Sequence, residues 1–194
     1  MGTLNRSDLL SLEEYAGRRQ EYKAKVIAHK KPRQVSLTDH ARLYFEDELT
    51  IRYQIQEMLR IEKVFEADGI QDELDAYNPL IPDGSNLKAT FMLEYEDIET
   101  RKDELARLIG VEDMVWMQVE GFDKVYAIAD EDMDRENAEK TSSVHFMRFE
   151  FTAEMVSAFQ EKQTVLIGCD HLNLPVAGIK LSPETAASLS EDFA

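Results

Sequence analysis

Apolar side chains recur along the chain in short alternating runs broken by a few runs of helical spacing. Residues 7–19 predict a short helix. Ser11-Leu12-Glu13-Glu14 has the capping-box spacing, in which the hydroxyl can accept from the backbone N–H three residues on. Residues 22–31 alternate. Tyr22, Ala24, Val26 and Ala28 fall on one face and Lys23, Lys25, Ile27, His29 and Lys31 on the other, which predicts a strand. Pro32 confines that strand to an edge or a turn. Residues 35–37 and 41–46 predict two more strands, joined around Thr38-Asp39-His40.

The strongest helix covers residues 48–67, where Ile51, Ile55, Met58, Leu59 and Phe65 recur at helical spacing and Gly69 marks the stop. A shorter helix at 71–77 is closed by Pro79 and Pro82, with Asp83-Gly84 supplying a turn. Strands follow at 87–95, 114–119, 124–129, 143–151, 164–169 and 176–181, the second and third forming a hairpin. Between them lie helices at 98–109, ended by Gly110, and at 153–162, capped by Thr152. Ser182-Pro183 opens a C-terminal helix with a cap followed by a first-turn proline. Grouped strands without regular βα alternation predict an α+β fold: a largely antiparallel sheet with one long and several short helices, in a single domain over residues 1–194.

Charge narrows the partners. The 194 residues carry 39 acids against 22 bases, a formal charge of −17 that repels phosphate backbones and argues against nucleic acid and anionic membranes. No apolar run is long enough for a transmembrane helix. The first residues lack the apolar stretch of a secretory signal and are too acidic for a transit peptide. Cys169 has no second cysteine to pair with, which fits a reducing compartment, and the expected location is cytoplasmic. Residues 1–40 depart from the pattern with eight bases and five acids, +3 net, leaving −20 for the rest.

Candidate chemistry gathers in a few places. On a strand, Lys23, Lys25 and Lys31 would share a face with His29, and with Arg33 they could hold an anion or an acidic partner; they could equally be laced to acidic neighbours by weak surface ion pairs. In the long helix, Glu57 and Arg60 have neighbour spacing, so that helix offers either a charged pocket floor or an ordinary solvated face. The stiff segment Asn78-Pro79-Leu80-Ile81-Pro82-Asp83-Gly84, followed by Lys88, could border a ligand site or simply connect helix to strand. His145 lies on an apolar strand face, where histidine usually packs as a hydrogen-bonded core residue. His29, Glu57 and His145 are the one metal-ligand trio the residue types suggest, for iron, manganese or zinc. Asp130-x-Asp132-x-Asp134 imitates the start of a calcium loop, but Arg135 stands where glycine is needed and Thr141 where a bidentate glutamate belongs, leaving a solvated loop. Cys169 and His171 flank Asp170 at a strand end, and Cys169 reads as buried and inert.

Several chemistries lose their signatures. Glu-x-x-His, His-Glu-x-x-His, Cys-x-x-Cys, Gly-x-Gly-x-x-Gly, the phosphate-loop Gly-Lys pair and Gly-x-Ser-x-Gly are all missing. Three strings are specific: RSDLLSLEEYAGRRQEYKAKVIAHKK, LTIRYQIQEMLRIEKVFEADGIQDELDAYNPLIPDGSNLKATFMLEY and KTSSVHFMRFEF. On these the chain resembles an uncharacterised bacterial family, a domain of unknown function often encoded beside rubrerythrin-like and iron–sulfur oxidoreductase proteins. The resemblance implies an accessory role near peroxide defence or iron redox metabolism, with such a protein as partner, and carries over no catalytic residue or cofactor. The residues themselves leave three readings open: a binding module for a partner or small anion, a metal-dependent enzyme, or a structural subunit that dimerises through an edge strand.

Overall fold

The computed structural model describes residues 2–131 and 140–193. Helix α1 (Leu12–Lys30) is opened by Ser11, whose hydroxyl accepts from the Glu14 N–H at 3.2 Å while the Glu14 carboxylate accepts from the Ser11 N–H at 3.0 Å. It continues through residues 22–30, which the alternation assigned to a strand. The side chains it buries explain why. Tyr15 and Val26 are in the interior, and Tyr22 packs against Tyr15 and Tyr53. Positions 15, 22 and 26 are seven and four apart, a helical stripe, and two of them also belong to the period-two run. The shared strand face for Lys23, Lys25, His29 and Lys31 therefore does not exist.

Strands β1 (Gln34–Ser36) and β2 (Ala41–Glu46) form the expected hairpin. Helix α2 (Glu48–Glu62) is capped by Asp47 and ends at Lys63, which takes the left-handed conformation at φ 56°, short of the expected end. Phe65, counted among its apolar positions, is 71% exposed. Gly69 is no stop signal: it lies inside α3 (Ala67–Tyr77), where a Cβ would fall 2.7 Å from Val64 Cγ1.

The described strands make two antiparallel sheets. One has the order β1-β2-β3-β7-β6, with β3 (Asn86–Leu93), β7 (Val144–Glu150) and β6 (Ile128–Ala129). The other has the order β5-β4-β8-β9, with β5 (Val125–Tyr126), β4 (Val115–Val119), β8 (Val165–His171) and β9 (Leu174–Lys180). The hairpin expected at 114–129 is divided between them: β5 pairs with β4, but past Ala127 the chain joins β7 of the other sheet. Helices α4 (Ile98–Arg107), α5 (Ala153–Gln160) and α6 (Pro183–Ser190) complete the α+β fold, the last two capped by Thr152 and Ser182 as expected.

Alternate residues sort the cores. Leu43, Phe45, Phe91, Met147 and Phe149 of the five-stranded sheet share one apolar cluster with Val115, Met117, Val165 and Ile167 of the other. A smaller cluster, built from Ile51, Ile55, Leu59, Leu74 and Ile81, holds α2 and α3 together. The opposite face of the five-stranded sheet is polar, carrying Glu46, Lys88, Thr90, Arg148 and Glu150 at alternate positions. The helices adjoin this face at Thr50, which donates to Glu46 at 2.6 Å. Among the described residues no helix is long and apolar enough to cross a membrane.

Candidate functional site

Where α3 and the proline segment stand off from the polar sheet face, they border a half-open cavity of about 710 Å³. Met58, Tyr77 and Leu80 give it apolar contacts on the helical side beside the carboxylates of Glu73 and Asp75, and Lys88, Phe146 and Arg148 line the sheet side. A second recess of about 470 Å³ shares Asp83 and Lys88 with it. The two cations are cross-strand neighbours in register but differ in their bonding. Arg148 is gripped by Glu131 at 2.8 and 2.9 Å and by Glu150 at 2.6 Å. Lys88 is partly buried and, among the described residues, makes no hydrogen bond or ion pair. Burial and then the neighbouring Arg148 charge pull its ammonium below the ordinary lysine range, against the attraction of Asp83, Glu131 and Glu150. Burial works the other way on Asp83, but hydrogen bonds from Asn86 and Ser85, with the Lys88 charge, outweigh it and keep that carboxyl below its usual range.

The residues singled out in the sequence scatter. Asp83 and Lys88 come together at the cavity. Asn78 borders the second recess, its amide holding the Leu4 backbone by two 2.9 Å bonds. Lys23, Lys25 and Lys31 are exposed on or just beyond α1. Arg33, expected among the anion-holding cations, is 1% exposed. It donates to the carbonyls of Phe45 and Glu46 at 3.2 Å, to that of Ser188 at 3.1 Å, and to Asp192 at 2.5 Å, so it ties the C-terminal segment to β2. Arg60 forks onto Glu57 at 3.3 Å.

The metal trio is not assembled, because each member is committed elsewhere. His29 pairs with Asp47. Glu57 accepts from Tyr15 at 2.7 Å and from Arg19 at two points of 2.8 Å. His145 is fully buried among other ligand-type groups: Asp130, at the end of β6, and Glu112, in the turn after α4. Among the described residues, Glu112, Asp130 and His145 are the group able to hold a metal ion. Of the stretch 130–139 read as a solvated loop, Asp130 instead turns inward onto His145, and 132–139 lies outside the described residues. Cys169 is buried, and burial raises its thiol above the ordinary range, in keeping with an inert core cysteine.

Two groups of residues were missed. Arg148 and Phe146 carried a usable signal, since they alternate with His145, Met147 and Phe149 and so had to face away from the core. Glu112 carried none: it sits in a turn, and only the fold brings it to His145.

The molecule is thus an α+β protein of two antiparallel sheets with a ligand-sized recess under a helical layer. Over residues 3–193 the chain matches the family described as Protein of unknown function (DUF3501), and it belongs to that family. Among solved structures it is similar to a crystal structure of a novel protein of unknown function from Burkholderia pseudomallei K96243 at 1.90 Å resolution. The two share 55% sequence identity and a TM-score of 0.95, with 100% of each chain covered. No curated protein matches the chain.

Proposed function

We propose that the chain works as one α+β binding module in the cytoplasm and takes a small organic anion with an apolar body into the cavity between α3 and the sheet. The observation that carries this reading is Lys88. Its neighbours on the polar sheet face, Glu46, Arg148 and Glu150, all have partners, whereas this lysine meets the cavity with none among the described residues. A carboxylate, sulfonate or phosphate supplies the missing partner, and Met58, Tyr77, Leu80 and Phe146 accept the rest of the molecule. The volume suits such a ligand, since small-molecule sites run to roughly 300–1,000 Å³. Rubrerythrin-like or iron–sulfur partners remain the setting implied by the resemblance, and the cavity does not depend on them.

The test compares two dyes of similar shape. Anilinonaphthalenesulfonate is anionic; N-phenyl-1-naphthylamine is neutral. Both should fluoresce on binding and be displaced by octanoate. Lys88→Gln should weaken the anionic dye about tenfold or more, as expected for loss of one charge-assisted bond, and leave the neutral dye within about twofold. Equal affinity of the anionic dye for both proteins overturns the reading.

A further inference from the structure

Three oxygen atoms converge on one ring nitrogen of a fully buried histidine. His145 Nδ1 lies 2.5 Å from Asp130 Oδ2. A carboxylate only accepts, so Nδ1 carries the hydrogen. On the other side of the ring, Nε2 lies 2.9 Å from Thr141 Oγ1, 3.0 Å from the Ser142 carbonyl oxygen and 3.7 Å from Glu112 Oε2. In the neutral ring that nitrogen is a lone pair to which the Thr141 hydroxyl can donate, and it also faces a carbonyl and a carboxylate, which only accept. A positive species at that point turns the repulsion into attraction.

The spacing suits a metal ion. Adjacent ligands on an ion with bonds of about 2.1 Å lie roughly 3.0–3.4 Å apart. The Thr141 hydroxyl and the Glu112 carboxylate are 3.2 Å apart, and the contacts to Nε2 run from 2.9 to 3.7 Å. Asp130 is built into place behind the ring. Its backbone takes the left-handed conformation at φ 50°, and its second carboxylate oxygen accepts from the Phe146 N–H at 3.0 Å. A fixed carboxylate on the far nitrogen is what orients a metal-binding imidazole and raises its basicity.

We propose that His145 Nε2 and the Glu112 carboxylate bind a divalent transition-metal ion. The Ser142 carbonyl and Thr141 hydroxyl complete the oxygen side, and Asp130 acts as the positioning carboxylate. One imidazole among oxygens favours manganese, iron(II) or zinc over magnesium or calcium. The site shares no side chain with the cavity and stands or falls independently of it.

Untagged full-length protein, stripped with chelator, is titrated calorimetrically with Zn²⁺ and with Mn²⁺, and its melting temperature is followed in parallel. One equivalent of at least one ion should bind and raise the melting temperature. Glu112→Gln preserves volume and can still bond Thr141; with an unchanged far-UV circular dichroism spectrum it should lower affinity at least tenfold. Asp130→Asn should lower it about 10–100-fold, the usual cost of losing an outer carboxylate. Absence of both heat and melting shift in the parent protein overturns the proposal and leaves the Thr141 hydroxyl as the partner of Nε2. Undiminished affinity in Glu112→Gln also overturns it, placing the ion elsewhere on the acidic surface.

Discussion

Glu57 holds the seam between α1 and α2, and replacing it with glutamine tests that seam directly. The carboxylate accepts from Arg19 at two points of 2.8 Å, from Tyr15 at 2.7 Å, and from Arg60 at 3.3 Å. Arg19 first, then Arg60 and Tyr15, pull its pKa down to about 2 from 4.5 against the opposing effect of burial. Taken at face value, that displacement corresponds to a ceiling of ~3 kcal/mol. Solvent screens the pair, however, for Arg19 is 33% and Arg60 37% exposed while Glu57 is 13% exposed. A realistic contribution is about 1–2 kcal/mol.

The sign follows from linkage. A carboxylate depressed in the folded state binds fewer protons there than in the unfolded chain. Its contribution is therefore complete above pH ~4.5 and disappears as the pH falls toward about 2. Urea unfolding followed by circular dichroism should find Glu57→Gln less stable by about 1–2 kcal/mol at neutral pH, with the difference shrinking to near zero by about pH 2. Subtracting variant from parent at each pH cancels the titration of the other acids. A difference that stays constant with pH, or is missing at neutral pH, refutes the assignment.

Three further substitutions probe the interior. Arg33→Met removes a buried guanidinium and strands Asp192, while Asp47 keeps His29, so urea unfolding should show a loss of about 3–5 kcal/mol. Burial pushes the Asp192 carboxyl up to about 6 despite Arg33, so Asp192→Asn should cost distinctly less, and equal costs would contradict this account. Gly168→Ala should cost about 1–3 kcal/mol, because the added Cβ would stand 2.4 Å from Trp116 Cζ2 and 2.5 Å from the Val176 carbonyl oxygen. Trp116 is the sole tryptophan, so its emission should shift as well; unchanged emission and stability would show that the ring moves freely.

Local rules found what local energies decide. Ser11, Thr152 and Ser182 cap their helices, and Thr38-Asp39-His40 turns a hairpin, because each device is complete within a few residues. Errors came where tertiary packing chooses. Residues 22–30 satisfy two periods at once, and only Tyr15 and Tyr53 select the helical one. Residues 124–129 read as one strand, yet a single residue, Ala127, separates pairing with one sheet from pairing with the other. The proline segment and Lys88 stood out in composition, and they line the cavity. The basic segment misled because residues that share a strand face disperse around a helix.

Strand β7 shows why the site could be only half read. Period two sends His145, Met147 and Phe149 inward and Phe146, Arg148 and Glu150 outward, so one strand serves a buried cluster on one face and a cavity on the other. The chain that meets its edge obeys the same alternation: Asp130 bonds His145 and the next residue, Glu131, bonds Arg148. A histidine on an apolar face draws the eye to the inner side, whereas an arginine on a polar face looks like ordinary solvation. What marks the outer side as more than solvation is the helical layer above it. That layer turns an open sheet face into one side of a cavity and leaves Lys88 facing it with no hydrogen bond or ion pair among the described residues.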